Sequence, residues 1–175
     1  MYSNIGSGIG GALILDGRLH DGQGLGASEV GHTCVPDWLA ETPGAARRLE
    51  DLCSGWAIER RQRAMDDPPR DSPLGRLCGG QAARITCAML GEAARQGDVR
   101  ARAELDRVAQ SVGLALANVV SLVHPERIAL GGGVSLLGDV LIDPVRHWAN
   151  HYAFGPFRDR FAVVPCALGE SVVLV

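Results

Sequence analysis

The order of apolar and polar residues predicts short strands near both ends of the chain and helices between them. Runs of β-favouring apolar residues are bounded by glycine, proline and aspartate, which is typical of strands. Asp16-Gly17 follows the second run and is the strongest two-residue signal for a β-hairpin. The predicted strands cover residues 1–5, 12–15, 126–130 and 161–165.

Helical spacing is clearest in the middle of the chain. Apolar residues step by three and four positions there, which places them on one helix face over about five turns. Asp98 is a suitable cap for the start of this helix, and His124-Pro125 is a suitable end. The apolar face comprises Leu105, Val108, Val112, Leu116, Val119 and Val123. Further helices are predicted at residues 45–64, 80–95 and within 137–150, the last interrupted or kinked near Pro144, and a helix begins within residues 168–175.

The first of these helices contains Trp56, which we interpret as a core residue rather than a stacking platform. The loop at residues 36–44 precedes the helix, and packing of Trp38 and Leu39 is expected to hold it in place. Strands and helices follow one another along the chain, so the predicted class is α/β.

Composition narrows the range of functions. Hydrophobic residues make up 46% of the 175 residues, which is enough for a core, and the net charge of −3 argues against disorder and against a nucleic-acid surface. No apolar run reaches the length of a membrane span, and no secretory signal is visible. The five cysteines include no C-x-x-C pair, which is typical of a reduced, cytoplasmic protein.

Residues 6–11 read Gly-Ser-Gly-Ile-Gly-Gly and join two predicted strands. The glycine amides and the Ser7 hydroxyl are suited to an anion such as a phosphate. The letters also match the dinucleotide-binding fingerprint, but that fold needs a helix after the third glycine, and a strand follows here. A Walker A loop is excluded because the chain contains no lysine. A glycine-rich hairpin without a ligand is as compatible with this loop alone as a phosphate site.

Two other stretches carry candidate binding residues. Gly131-Gly132-Gly133 directly follows a predicted strand, and strand ends are where open α/β sheets place ligands. Glu29 and His32 stand three positions apart in a glycine-rich loop. A carboxylate and an imidazole can hydrogen-bond a polyol, but their spacing alone favours ordinary loop polarity.

A series of short blocks carries a family resemblance. In order they are Gly-Ser-Gly-Ile-Gly-Gly at 6–11, Asp-Gly at 16–17, Gly-Ala-Ser-Glu-Val-Gly-His at 26–32, Leu-Glu at 49–50, Ser-Gly at 54–55, Ala-Leu-Gly-Gly-Gly-Val-Ser at 129–135 and Ala-Leu-Gly at 167–169. With these blocks the chain resembles the C-terminal half of ROK proteins, which are bacterial sugar kinases and sugar-responsive repressors. The resemblance implies an actin-like ATPase (ribonuclease-H-like) fold, with residues 1–175 as its C-terminal lobe and the N-terminal lobe outside this chain.

The resemblance also implies roles for individual residues. The first glycine loop is expected to bind nucleotide phosphates and the second to bind adenosine, with ATP and Mg²⁺ as cofactors. The expected cofactor-binding residues are Gly6, Ser7, Gly8, Gly10, Gly131, Gly132 and Gly133. Glu29, His32 and Glu50 match sugar-binding residues of the family, so the ligand interpretation of Glu29 and His32 becomes the favoured one.

Two features depart from the family pattern. The aspartate that serves the family as general base precedes the first residue of this chain, so no catalytic residue is assigned. Many members carry a zinc motif before the Leu-Glu pair, with the Gly-His histidine as a ligand. Here Arg48 stands in place of the last cysteine and only Cys34 lies in the interval, so no zinc is expected.

The leading hypothesis is an ATP-dependent hexose kinase of the glucokinase type, for which this chain supplies the sugar-binding and adenosine-binding half. The isolated chain is expected to be inactive and to form a homo-oligomer. A sugar-sensing regulator and a non-catalytic fragment are the alternatives. The expected partners are a hexose and a nucleotide in the cytoplasm, with no membrane and no direct contact with nucleic acid.

Overall fold

A mixed β-sheet organises the fold. The computed structural model describes residues 1–167. In chain order, the strands are β1 (Tyr2–Ile5), β2 (Ile9–Leu15), β3 (Arg18–His20), β4 (Cys34–Pro36), β5 (Ala46–Arg48), β6 (Arg127–Gly131) and β7 (Ala162–Pro165). The sheet has the order β3-β2-β1-β6-β7, and β4 and β5 pair separately as a two-stranded ribbon.

The strand β1 is at the centre of this sheet. It pairs antiparallel with β2, with Ser3 opposite Gly11, and parallel with β6, with Ser3 opposite Leu130. The strand β7 pairs parallel with the other side of β6. Because β1 and β6 run in the same direction, the glycine loops that follow them leave the sheet at the same edge.

The helices share one hydrophobic core with the sheet. In chain order they are α1 (Leu49–Cys53), α2 (Gly55–Arg63), α3 (Pro73–Cys78), α4 (Cys87–Arg95), α5 (Val99–Val123) and α6 (Asp139–Tyr152). Leu105 and Leu116 of α5 belong to the same buried cluster as Leu130 of β6. The close packing of α5 on α6 depends on Gly113, where a Cβ atom would lie 2.5 Å from the Cβ of Trp148.

Several predicted elements are confirmed. The predicted strands overlap with β1, β2, β6 and β7, and the α/β class is correct. Asp16 and Gly17 have φ angles of 51° and 75°, so both adopt the left-handed conformation that a type I′ hairpin turn requires. The long helix begins after Asp98 and ends before His124, as its capping signals predict.

The prediction of one helix over residues 45–64 is wrong in two respects. The helical part starts later than predicted, and it consists of two helices. Residues Ala46–Arg48 form β5, and the helical part divides into α1 and α2 at Ser54, whose ψ angle of 153° is extended. The Ser54 hydroxyl accepts a hydrogen bond from the amide of Ala57 at 3.3 Å. It therefore caps α2 and starts a new helix with its own set of buried positions.

The other helices differ from prediction in smaller ways. Within the helix predicted at residues 80–95, the chain first forms a 3-10 turn at Ala82–Arg84, and α4 begins only after the capping residue Thr86. The helix α6 continues through Pro144, so of the two predicted effects of this proline, interruption is excluded. On α5, Val123 is exposed at the last position of the helix instead of buried on its apolar face.

The helix start predicted within residues 168–175 lies outside the described residues. Over residues 1–167, the structure contains no helix that combines the length and the apolar character needed to cross a membrane.

Asp98 joins two helices through one carboxylate. It is 5% exposed. Its Oδ1 accepts a hydrogen bond from the amide of Ala101 in α5, and its Oδ2 accepts one from the amide of Leu74 in α3, both at 2.9 Å. Helix starts carry amide donors without partners inside the helix, so this side chain satisfies one donor of each helix.

Asp98→Ala is expected to lower the free energy of unfolding by about 3 kcal/mol, because two buried amides lose their acceptor. Ser72→Ala is the matched control, since Ser72 caps α3 alone through the amide of Gly75, and it should cost about 1 kcal/mol. Urea unfolding measures both losses. An Asp98→Ala loss no larger than the Ser72→Ala loss would contradict the joining role.

Candidate functional site

An open cleft lies where the two glycine loops leave the sheet. Gly6 and Ser7 of the first loop and Gly133 of the second line this cleft, which has a volume of about 790 Å³. The other lining residues are Gly55, Trp56, Glu59, Cys87 and Val134, from α2, α4 and the end of the second loop. The fold thus brings the two loops to one place, although more than a hundred residues separate them in sequence.

Backbone contacts hold the two loops and the start of α2 together. The carbonyl of Ile5 accepts a hydrogen bond from the amide of Val134 at 2.9 Å, and the carbonyl of Gly6 accepts one from the amide of Gly55 at 2.7 Å. Gly132 has a φ angle of 84°, and a Cβ atom there would lie 2.6 Å from the Ile5 carbonyl oxygen. Glycine is therefore required at position 132 on both conformational and steric grounds.

The remaining predicted nucleotide-binding glycines are not among the residues that line the cleft. Gly10 lies within β2, and Gly131 ends β6, where a Cβ atom would come within 2.6 Å of the Tyr2 hydroxyl oxygen. Gly8 lies toward Glu50, since a Cβ atom at Gly8 would be 3.5 Å from Oε2 of Glu50. The first glycine loop is thus a direct neighbour of a predicted sugar-binding residue.

Of the predicted sugar-binding residues, the structure brings His32 and Glu50 together. Nε2 of His32 lies 3.7 Å from Oε1 of Glu50. A Cβ atom on Gly31 would lie 2.0 Å from the carbonyl oxygen of Ile9, so only glycine lets the turn that carries His32 rest against β2. The amide of Leu49, the first residue of α1, donates a hydrogen bond of 2.9 Å to the carbonyl of Thr33, the residue after His32. This bond fixes α1 beside the same turn.

Glu29 lies apart from this pair. It precedes the 3-10 turn Val30–His32, and its backbone carbonyl accepts a hydrogen bond from the amide of His32 at 3.1 Å. Glu29 borders an apolar groove that Met1 and Leu122 also line. The geometry thus joins two of the three predicted residues and leaves the third at the start of the turn.

Arg48 is a neighbour of this pair, and its position beside Glu50 was not predicted from the sequence. Its Nε and Nη2 donate to the two carboxylate oxygens of Asp51 at 3.1 and 3.3 Å, and its Nη1 lies 3.8 Å from Oε1 of Glu50. The hydrogen bond with Asp51 raises the pKa of the Arg48 guanidinium. A lasting positive charge therefore lies beside Glu50. The spacing of three between Arg48 and Asp51 is the sequence signal for their pairing.

The loop at residues 36–44 differs from the prediction. Trp38 and Leu39 are both exposed, so packing of the two side chains does not hold the loop. Instead, β4 and β5 pair on either side of it, and Nε1 of Trp38 donates to Oγ of Ser111 at 3.0 Å. Within residues 1–167, no group of three or more His, Cys, Asp or Glu side chains is placed to hold a metal ion.

Trp56 is 62% exposed, so the prediction of a core position is wrong. The physical reason is the phase of α2. Ser54 restarts the helix, and Ala57 and Ile58 then take its buried positions, which leaves Trp56 in the wall of the cleft. The Ser-Gly pair before Trp56 was the available signal for this restart.

Cys87 lies in the same wall of the cleft, and its neutral thiol acts as a hydrogen-bond donor. Its thiol donates to the carbonyl of Gly55 at 3.5 Å, and its amide donates to Oε1 of Glu59 at 3.0 Å. Burial, and then the nearby Glu59 carboxylate, raise the pKa of the thiol to about 12. The other oxygen of Glu59 accepts a hydrogen bond from Arg63 at 2.6 Å, so this carboxylate is engaged on both sides.

The sequence pattern of the ROK family matches residues 1–174. The chain belongs to the ROK family. The family resemblance and the actin-like ATPase fold expected from it are both confirmed, because the structure superimposes on that of a ROK family glucokinase from Streptomyces griseus in complex with glucose and AMPPNP. That superposition has a TM-score of 0.82 at 34% identity and covers 97% of this chain and 56% of the other.

Two curated relatives extend the comparison. The ROK chain is 34% identical over 175 residues to the glucokinase of Streptomyces coelicolor, covering 98% of this chain and 55% of that protein. It is 24% identical over 187 residues to the xylose repressor of Caldicellulosiruptor bescii, covering 95% of this chain and 44% of that protein. The chain therefore spans about half the length of the curated relatives it matches.

Gly132→Ala is expected to lower the free energy of unfolding by at least about 2 kcal/mol, because alanine is strained at a positive φ and its Cβ meets backbone. Gly133→Ala is the matched control: a Cβ atom there meets nothing within 4 Å, and the change should cost less than about 0.5 kcal/mol. Thermal and urea unfolding compare the two. Equal losses would show that the approach of the second loop to β1 is not tight.

Proposed function

We propose that this ROK chain is the sugar-binding and adenosine-binding half of an ATP-dependent hexose kinase of the glucokinase type. The observation that carries the proposal is the single cleft lined by both glycine loops, beyond the carboxyl ends of the parallel strands β1 and β6. The similarity to glucokinases, one of them bound to glucose and AMPPNP, supports a hexose and ATP as the substrates.

The residues of the cleft are compatible with ATP. Ser7 offers a hydroxyl and the loop amides offer donors to phosphate oxygens, while the open space around Gly133 leaves room for adenosine. Mg²⁺ would be bound through the phosphates, because Glu59, a carboxylate in the described wall of the cleft, already bonds to Arg63 and to the amide of Cys87. Bound ATP would supply the phosphoryl group.

The hexose would bind at His32 and Glu50. A carboxylate accepts hydrogen bonds from hydroxyls and an imidazole can donate or accept, so the pair is suited to neighbouring hydroxyls of one sugar. Glu29 begins the same turn but borders the groove lined by Met1 and Leu122, so we assign the sugar contacts to His32 and Glu50 alone. Because Gly8 lies next to Glu50, a sugar at this place has a hydroxyl close to the phosphate loop, which in-line transfer requires.

Catalysis in such a site rests on positioning and charge stabilisation. The described residues offer phosphate donors, a loop for adenosine and contacts for the sugar. We assign no general base among them. The reaction therefore requires a second lobe that completes the cleft, in keeping with the share of the glucokinases that this chain spans.

Glu50→Gln is expected to weaken hexose binding by about 10- to 100-fold, because a charged acceptor facing a hydroxyl contributes about 1.5–3 kcal/mol. ATP binding should change less than twofold. Glu92→Gln is the matched control, since Glu92 is also paired with an arginine, Arg95, but lies on the exposed surface of α4. Titration calorimetry on the full-length protein measures both ligands. Unchanged hexose affinity in Glu50→Gln would remove Glu50 from the sugar site.

The 175-residue chain alone is expected to show no hexose phosphorylation in a coupled assay with ATP and Mg²⁺. The physical reason is that transfer needs the donor phosphates, the acceptor hydroxyl and a base assembled together. A longer protein that includes the second lobe should turn over. Turnover by the chain alone would mean that one of its own residues is the base.

A sugar-sensing transcriptional regulator is the second candidate, and the similarity to the xylose repressor supports it. The pair of His32 and Glu50 would bind the sugar in either protein, so sugar binding does not separate the two. Phosphorylation does: hexose binding without any turnover in the longer protein would favour the regulator.

A further inference from the structure

Trp56 is an exposed tryptophan in the wall of the cleft. Its surface is 62% exposed, although an indole is among the most costly side chains to leave in water. The two other tryptophans each donate an indole hydrogen bond, Trp38 to Ser111 and Trp148 to Asp106. Among the described residues, the Trp56 indole has no such partner, so no hydrogen bond accounts for its position in the wall of the cleft.

Arg60 supports one face of this indole. Its guanidinium carbon lies 4.4 Å from the centre of the Trp56 ring, one helical turn further along α2. Arg63, the next arginine on this face, is bound to Glu59 and to the carbonyl of Ile85, whereas no carboxylate of residues 1–167 lies within ion-pair distance of Arg60. The cation therefore interacts with the ring, and such a contact fixes the ring orientation.

Trp56 also stands between two spaces. It lines the cleft that contains both glycine loops, and it lines an adjoining hollow of about 640 Å³ together with Arg60, Arg63 and Ala64. A planar group that extends from the cleft past Gly133 would thus meet a flat aromatic surface with a positive charge behind it.

We propose that Trp56, backed by Arg60, is the stacking surface for the base of the phosphoryl donor, so that the donor is a nucleoside triphosphate and not inorganic polyphosphate. This inference rests on the proposed kinase function and adds the residue by which the site would distinguish a nucleoside triphosphate from inorganic polyphosphate. Every nucleobase offers a π-face to an aromatic side chain, whereas a polyphosphate chain has no planar group to stack. Trp56 thereby determines the specificity for the phosphoryl donor. The phosphates of the donor bind at the first glycine loop.

The test compares ATP with inorganic tripolyphosphate, each with Mg²⁺, by titration calorimetry and by tryptophan fluorescence of the full-length protein. Trp56→Ala is expected to weaken ATP binding about tenfold or more and to leave tripolyphosphate binding unchanged. Trp56→Phe keeps an aromatic face and should retain most of the ATP affinity, while ATP no longer quenches the fluorescence. Trp38→Ala, an exposed tryptophan outside the cleft, is the matched control and should change neither ligand.

The possible outcomes distinguish a failure of the stacking role from a failure of the proposed kinase function. Unchanged ATP affinity in Trp56→Ala, or an equal loss for ATP and tripolyphosphate, would overturn the stacking role and leave the kinase proposal in place. Tripolyphosphate bound by the unaltered protein as tightly as ATP would overturn the donor assignment. An unaltered protein that neither binds ATP nor phosphorylates a hexose would remove the kinase proposal and this inference together.

Discussion

Two backbone hydrogen bonds at the carboxyl end of β1 determine where the cleft forms. Through the carbonyl of Ile5 the second glycine loop is attached to the first, and through the carbonyl of Gly6 the start of α2 is attached to both. Only backbone atoms take part, so the contact requires close approach and not a particular side chain. Gly132 permits that approach, so the second loop and the start of α2 both lie against the first loop.

The pair of His32 and Glu50 depends on a second close approach. Gly31 rests on the carbonyl of Ile9, so the turn with the imidazole is attached to β2, the strand that leaves the first glycine loop. The ribbon of β4 and β5 leads directly into α1 and its carboxylate. The cleft of the glycine loops and the pair of His32 and Glu50 are thus both attached to the hairpin of β1 and β2. Arg48 adds a positive charge beside Glu50.

Local signals predicted much of the fold, and long-range contacts account for what they missed. Asp16-Gly17 and Asp98 act within a few residues, so the sequence identified the hairpin and the long helix correctly. The strand β5 has three residues and exists only because β4 pairs with it. The exposure of Trp56 depends on where α2 restarts, and a single apolar pattern through residues 45–64 concealed that break.

The candidate site likewise depends on both local signals and long-range contacts. The ordered sequence blocks identified both glycine loops, His32 and Glu50. In the structure the two loops line one cleft, and Gly8 of the first loop lies next to Glu50. Spacing could not reveal that Glu29 borders a different groove, because three residues of a 3-10 turn are enough to point neighbouring groups in different directions. The wall of the cleft was not predictable either, since Cys87 comes from a helix far along the chain.

Because the thiol of Cys87 is protonated, the cleft is a poor target for electrophilic reagents. A thiolate, and not a thiol, attacks electrophiles, and a pKa of about 12 leaves almost no thiolate at neutral pH. Electrophilic compounds that enter the cleft would therefore find a poor nucleophile in its wall. Cys34, at the surface of β4, is exposed and open to such reagents, so labelling of this protein would begin outside the cleft.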